Sequence, residues 1–332
     1  MTTMRFAVLG LDHWYTAFGV CEILAASDQI ELTAICTEND DHAAWAAEKY
    51  PDVTLIRNPS ELYSSTDVDC VLICAPTAIA EGYAIDALSK GKHVLGVKPT
   101  SNTLDGLQRI IDTAAANNVF YGSFEGIQRF HPKTIALKKL LADGTIGRVL
   151  SVHQVGNGGL PAPWEGKQSG EPSWWIDPSM IQTGAWMDHA IYAIDLLRFA
   201  LDAEVDAVNG HIGNRLHASL PLEDYGMALL RLTTPKGSVS VVMEDTWSAN
   251  PGGGAHWMRI VGTDGWLRSD GDDWVICKGG DETTVKTEPS VFFRLEDFAI
   301  ALHGKCEMPF KSEDALANVG ACHRFYADAI RD

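Results

Sequence analysis

The apolar run His93-Val94-Leu95-Gly96-Val97 ends in a lysine set directly before a proline, Lys98-Pro99. A buried parallel strand would end in something small or capping. A long cation there, with the proline ring restricting the backbone behind it, marks a place where positive charge has a use. Further along, Asp188 and Tyr192 stand four residues apart in a segment of helical pattern, so they share one face; His189 is rotated off it. An unperturbed tyrosine titrates near ~10, and a neighbouring cation lowers that toward neutral pH. A cation, a carboxylate and a phenol can move a proton to and from an oxygen, and one positioned group contributes typically ~10²–10⁴-fold. No His-Glu-x-x-His or equivalent spacing occurs, so no metal is expected. Taken singly, Lys-Pro after a strand reads as a solvated lysine at a turn, and a lone tyrosine as a core residue.

The elements that must hold these groups fall into two patterns. Apolar strands are expected at 6–9, 30–36, 53–56, 68–74, 93–97 and 119–122. Helices are expected at 17–26, 41–50, 79–90 and 104–117, with a helix start at 58–62. Continuous apolar strands alternating with helices mean a parallel sheet covered on both faces, the doubly wound α/β arrangement of a Rossmann-like domain. After residue 123 the pattern changes. A helix over 131–147 and one over 185–200 flank a strand at 150–155. From Val205 strands dominate, joined by turns such as Thr234 to Ser238 and Gly262 to Gly265. This predicts a C-terminal α+β domain with a large, mainly antiparallel sheet and an amphipathic tail helix over 313–330. A single cut gives domains 1–123 and 124–332. The aperiodic segment Gly156 to Ser173 reads as a loop able to fold over a ligand.

The chain has 332 residues and a net charge of -18. Its length favours two domains, since single cores stop growing near ~250–300 residues. The charge repels phosphate backbones and anionic lipid, and no basic patch offsets it, so neither nucleic acid nor membrane is an expected partner. Seven cysteines in no metal-type pairing fit a reducing cytoplasm. No apolar run approaches the ~18 residues of a membrane span.

In a doubly wound sheet ligands bind beyond the carboxyl ends of the strands. The first turn, Gly10-Leu11-Asp12-His13, retains only one glycine of a dinucleotide fingerprint. Asp12 takes the second glycine's place, where its charge repels a diphosphate unless the side chain turns away to cap the helix. The second strand is followed by Thr37 and Glu38, the position from which a carboxylate holds the adenosine ribose of NAD. With no arginine or lysine near in sequence for a 2′-phosphate, NAD is preferred over NADP. A solvated helix cap at 38–41 is the competing reading.

The stretch "GKHVLGVKPTSNTLDGLQRIIDTAAANNVFYGSF" (91–124) resembles the glucose-fructose oxidoreductase, inositol dehydrogenase and MocA family (Gfo/Idh/MocA), whose members carry a "GKHVLxEKP" strand end. "QRFHP" (128–132) and "DGTIGRVLSV" (143–152) follow in the family's order. "WIDPSMIQTGAWMDHAIYAIDLLRFAL" (175–201) is similar to its "WRxDP…GGGxLxDxGxHxIDLxxxLL". Three departures stand out: Val97 replaces a glutamate, Ala80 a histidine, and Tyr192 the histidine of Asp-x-x-x-His.

The resemblance implies an NAD(P)-dependent oxidoreductase moving a hydride between a nicotinamide and a secondary alcohol of a sugar, polyol or derivative. It assigns catalysis to Lys98, Asp188 and Tyr192. It places the cofactor on Gly10, Leu11, Asp12, His13, Thr37, Glu38, Ala75, Pro76, Thr77, Val97 and Lys98. Substrate contacts are expected from Lys98, Arg129, His153, Trp175, Asp188 and His189, with Trp164, Trp174, Trp247 and Trp257 as further candidates for sugar stacking. It also implies a homo-oligomer joined through the open face of the second sheet. Two alternatives remain at this point: a redox-assisted lyase or glycosidase retaining its NAD, and a non-catalytic dinucleotide or sugar sensor.

Overall fold

The computed structural model describes residues 3–162, 173–249, 253–289 and 291–332. The chain forms two compact units built from several segments each, where the sequence reading draws one cut. The first holds 1–127, 162–181 and 293–316; the second holds 128–161, 182–292 and 317–332.

The first unit is a six-stranded sheet: β1 (Met4–Leu9), β2 (Ile30–Cys36), β3 (Thr54–Ile56), β4 (Cys70–Ile73), β5 (His93–Gly96) and β6 (Tyr121–Ser123). Its order is β3-β2-β1-β4-β5-β6, and every neighbouring pair is parallel. Strand order reverses between β1 and β4, which opens a crevice at their carboxyl ends. The central strands are apolar throughout because both faces are covered: Val71, Leu72, Val94 and Leu95 are fully buried. The crossovers are α1 (Trp14–Ala26), α2 (Asp40–Lys49), α3 (Pro59–Ser64), α4 (Thr77–Ser89) and α5 (Leu104–Ala116), and α6 (Phe124–Ile127) follows β6. Helix α2 starts where Asn39 accepts the backbone N–H groups of Asp41 and His42. Asn58 caps α3 in the same way, with Pro59 behind it.

The second unit is a nine-stranded sheet of β7 (Val149–Asn157), β8 (Glu204–Gly213), β9 (Tyr225–Thr234), β10 (Gly237–Thr246), β11 (Ala255–Gly262), β12 (Trp266–Asp270), β13 (Asp273–Lys278), β14 (Asp281–Val285) and β15 (Ile330–Arg331). Its order is β14-β13-β12-β11-β7-β10-β9-β8-β15. Pairing is antiparallel except for β7 with β10 and β8 with β15. Strand β14, "DETTV", is almost wholly exposed; it has no apolar alternation to betray it and exists through its pairing with β13. Helices α7 (Pro132–Ala142) and α8 (Ala185–Leu201) belong to this unit, while α9 (Leu295–Leu302) packs on β2 of the first. The last helix is α10 (Ser312–Asp328). Among the described residues no helix is long and apolar enough to cross a membrane.

Helix α8 is fixed to its surroundings by charge as well as packing. Arg129 forks onto Asp195, Nε to Oδ2 at 2.9 Å and Nη2 to Oδ1 at 2.7 Å, with both residues buried. Asn318 donates to the same Asp195 Oδ1 at 2.8 Å and accepts from Arg198 at 2.9 Å. Arg198 in turn forks onto Glu204. A buried pair of this kind adds little net stability over an apolar pair, but losing one partner strands the other charge. Asp195→Ala is therefore expected to destabilise the protein by about 3–5 kcal/mol in urea unfolding followed by circular dichroism. A loss below about 1 kcal/mol, the scale of an exposed pair, would show that Arg129 finds water instead.

Candidate active site

The crevice of the first unit begins at Gly10. Its backbone has φ +79°, and a Cβ added there would lie 2.9 Å from the Cβ of Ala75. The turn after β1 thus lies directly against the turn after β4, an approach that a side chain at this position would block. Three backbone bonds lock it: Gly10 N–H to Cys36 O, Cys74 N–H to Leu9 O, and His13 N–H to Cys74 O. Leu9, Gly10, Asp12, Cys36, Thr37, Glu38, Asn39, Ile79 and Tyr83 are among the residues lining a cavity of about 180 Å³ at the strand ends. Glu38 Oε2 accepts the Tyr83 hydroxyl at 3.0 Å. Burial, with the Glu38 charge adding to it, pushes the Tyr83 phenol far above its ordinary range.

Two expectations change here. Asp12 does not cap α1: the cap position is His13, with no side-chain cap bond, and Asp12 lines the cavity instead. A guanidinium does lie near the end of β2. Arg57 donates to the Glu38 carbonyl at 2.7 Å and to Asp40 Oδ1 at 2.6 Å. It escapes a linear reading because it follows β3, distant in sequence but the neighbour of β2 in the sheet.

Val97 and Lys98 continue from β5. Val97 N–H bonds Ile73 O at 2.9 Å, and Thr100 folds back so closely that a Cβ on Gly96 would sit 2.4 Å from its Oγ1. The Lys98–Pro99 bond is cis. Lys98 is 5% exposed, so it is not the solvated lysine of an ordinary turn. Ala75 and Thr77 are buried, and α4 starts directly after Pro76.

Trp175 lies in this unit, against the first turn. It stacks on Tyr15 at 5.4 Å and on Trp174 at 4.4 Å, and meets His13 edge-on at 4.8 Å. Trp174 Nε1 donates to Asp12 O at 3.0 Å. At 3% exposure Trp175 is packing material of the turn after β1 and presents no open stacking face for a sugar. Trp164 and most of the expected covering loop lie outside the described residues.

In the second unit α8 presents Asp188, His189 and Tyr192. The helix advances about 100° per residue, so Tyr192 is a neighbour of both Asp188 and His189. His189 is thus not rotated away: it lines, with Tyr192, a cavity of about 440 Å³ closed by α8, α7 and the inner face of the sheet. Gln154, Asp195, His256, Met258 and Trp274 also line it. Asp188 Oδ2 accepts the indole N–H of the buried Trp247 at 3.1 Å. His189 Nδ1 lies 3.0 Å from Asp245 Oδ1, and its Nε2 lies 3.7 Å from Asp188 Oδ2. Asp245 is fully buried, and a Cβ on Gly156 would clash with its Oδ2 at 2.5 Å. Burial pushes the Asp245 carboxyl up to about 7; its bond to His189 and that ring's charge oppose the shift, while the Asp188 charge adds to it. Burial lowers His256, with the adjacent His189 ring contributing.

Asp245 and Gln154 were not singled out from sequence, and Trp247, expected as a stacking surface, instead donates its indole N–H to Asp188. A signal existed for the first: Val241, Met243 and Asp245 share one parity of β10, so a carboxylate continues a buried apolar row. Two expected substrate residues are placed otherwise. His153 is exposed, on the opposite face of β7 from Val152 and Gln154, and pairs with Val242 and Arg259. Arg129 reaches the cavity wall, but its guanidinium is committed to Asp195.

Residues 4–124 match the family model described as oxidoreductase family, NAD-binding Rossmann fold, and residues 134–268 match the GFO/IDH/MocA C-terminal domain. An inositol 2-dehydrogenase of Acidothermus cellulolyticus is 27% identical over 259 residues, 77% of this chain and 68% of that protein. A D-xylose 1-dehydrogenase [NADP(+)] of Haloarcula marismortui is 25% identical over 97% of this chain and 90% of its own length. Among solved structures, the aldose-aldose oxidoreductase of Caulobacter crescentus superposes with a TM-score of 0.82 at 21% identity, covering 98% of this chain and 97% of the other. That likeness concerns the fold.

The raised carboxyl has a thermodynamic consequence. An unfolded aspartate titrates near ~3.9, below the folded value, so the stability Asp245 contributes is complete at low pH. It is lost as pH rises toward about 7. Asp245→Asn removes that loss. Its stability relative to wild type is expected to improve by on the order of 2 kcal/mol between pH 5 and pH 8 in paired thermal melts. A difference independent of pH would mean that the carboxyl titrates normally.

Proposed function

The chain belongs to the Gfo/Idh/MocA oxidoreductase family, and on that premise we propose that it is a nicotinamide-dependent dehydrogenase acting on a secondary alcohol of a sugar or polyol. The observation that carries this reading is the pairing of the Gly10 turn at the β1–β4 reversal with a buried lysine at the end of β5.

The residues present fit a dinucleotide. Gly10 lines the cavity at the strand ends, where a diphosphate would lie against bare backbone, with Leu11 and His13 completing the turn. Glu38, steadied by Tyr83, supplies a carboxylate for the adenosine ribose beside Thr37, while Arg57 offers a cation should that ribose carry a phosphate. Ala75, Pro76, Thr77, Val97 and Lys98 form the turns where the nicotinamide half would be held. When bound, the cofactor supplies the hydride acceptor; the chain's own residues handle the proton and the orientation.

Oxidation of an alcohol to a carbonyl releases the hydroxyl proton together with the hydride. Lys98, taken out of water, hydrogen-bonds the substrate oxygen and favours its deprotonated form. Tyr192, acting as its phenolate, takes the proton and becomes the phenol, and Asp188, fixed by Trp247, binds a substrate hydroxyl. The polar edges of Gln154 and His256 in the cavity that Tyr192 lines suit a ligand with several hydroxyl groups. Myo-inositol, D-xylose and levoglucosan are the natural first substrates, because relatives are dehydrogenases of such compounds. The open face of the second sheet, with Leu229 57% and Met227 38% exposed, is where a second copy of the chain would join.

Tyr192→Phe and Lys98→Met are each expected to lower kcat by ~10²–10⁴-fold while NAD or NADP still quenches tryptophan fluorescence as in the wild type. Retained turnover in both variants would remove these residues from the chemistry. With a substrate deuterated at its carbinol carbons, the label is expected on the reduced cofactor; cleavage of substrate with the cofactor unchanged would favour the lyase reading instead. Leu229→Glu is expected to shift the mass measured by light scattering toward the monomer, and an unchanged mass would place the contact elsewhere.

A further inference from the structure

The second unit contains a chain of three titratable groups that the reading above does not use in full. Asp245 at the end of β10, His189 on α8 and Asp188 beside it follow one another at 3.0 Å and 3.7 Å. The Nδ1 side of the ring meets a fully buried carboxylate, and the Nε2 side meets the carboxylate assigned to the substrate hydroxyl. The groups facing the ring are Asp188 on its own helix, Asp245 on β10, the imidazole of His256 on β11 and the glycine Gly158 after β7. Two carboxylates therefore bracket the ring, and a second imidazole lies 5.6 Å away.

With Asp245 ionised, a neutral histidine, which carries a single N–H, could face only one of the two carboxylates with a proton. Its other nitrogen would turn a lone pair toward the second. A doubly protonated ring bonds Asp245 and sets a positive charge 3.7 Å from Asp188 Oδ2, which offsets the repulsion between two largely buried carboxylates. Asp245 Oδ2 is buried with no hydrogen-bond partner. Once ionised, that carboxylate gains from a cation on its other oxygen.

We propose that His189 is a positioning residue: held at Nδ1 by Asp245, it carries a proton on both nitrogens and keeps Asp188 ionised and fixed. Asp188 Oδ2 then accepts the Trp247 indole N–H at 3.1 Å and faces a positive charge at 3.7 Å, so its orientation is set before substrate arrives. No bond is made or broken in this role. The proton stays on the ring, and the acid-base step at the substrate oxygen is untouched. The role assigned to Asp188 rests on the dehydrogenase reading; the charge state of the ring does not.

The test has two arms on the full-length chain. In the first, ¹⁵N imidazole spectra are recorded at pH 7.5 without added cofactor, with His189→Gln identifying the resonance. Both ring nitrogens are expected to be protonated, and Asp245→Asn is expected to bring the loss of the second proton to lower pH. A ring with one N–H at pH 7.5, or one unaffected by Asp245→Asn, overturns the proposal. In the second arm, steady-state rates are measured with whichever of myo-inositol, D-xylose or levoglucosan the wild type oxidises. An asparagine side chain at 189 can still bond Asp245 but cannot reach Asp188; a glutamine can place its amide N–H near the Nε2 position. His189→Asn is expected to lower kcat/KM about tenfold with cofactor affinity unchanged, and His189→Gln to stay within threefold. The opposite order, which a merely structural bond to Asp245 would give, also overturns it. A wild type that oxidises no polyol with either cofactor defeats the dehydrogenase reading and leaves the spectroscopic arm to decide this one.

Discussion

The first unit depends on a contact that has no side chain in it. Gly10 brings the turn after β1 against Ala75 in the turn after β4, at a distance no other residue would allow. That approach joins the two strands between which the sheet order reverses, and so sets the floor of the crevice. Leu11, His13 and Thr77 take their places from it, as does the start of α1. The missing second glycine of the fingerprint then matters less than it appears. Its place is taken by Asp12, whose carbonyl accepts the indole of Trp174, so the aromatic cluster of Tyr15, Trp174 and Trp175 is tied to the same turn. A motif defined by three glycines describes one way of keeping backbone near a diphosphate; one glycine at the point of closest approach preserves the part that sterics enforce.

The second unit depends on α8 in a comparable way. Its inner side is committed to the sheet through Trp186, which lies so close to Gly226 that a Cβ there would meet it at 2.6 Å. Further along the helix is committed through Asp195 and Arg198. A helix held at both ends cannot rotate, so Asp188, His189 and Tyr192 have fixed directions. A buried ion pair that contributes little net stability thus sets the direction of the side chains on this helix.

Much of this was legible in the chain. The strand-helix rhythm of the first third carried the parallel sheet, since strands buried on both faces show as unbroken apolar runs. The four-residue spacing of Asp188 and Tyr192 carried their shared face. What failed did so for physical reasons. His189, expected as a substrate contact, was placed off the face of Tyr192 because that face was drawn too narrowly; an i, i+3 neighbour is as close as an i, i+4 one. Arg57 and Asp245 reach their sites through sheet neighbours, and lateral strand order is not local information. Trp175 was expected against substrate because tryptophan suits sugars, yet the same ring suits a packed cluster, and composition cannot separate the two. Strand β14 carries no apolar pattern at all.

The central claim is that this crevice, with one glycine and an aspartate in its first turn, holds a nicotinamide dinucleotide. Native mass spectrometry of the purified full-length chain, before and after addition of NAD or NADP, tests it most directly. One dinucleotide per chain is the result predicted, with binding weakened when Gly10 is replaced by valine in protein that remains folded. A chain that takes up neither dinucleotide at millimolar concentration would contradict the account and leave only the fold.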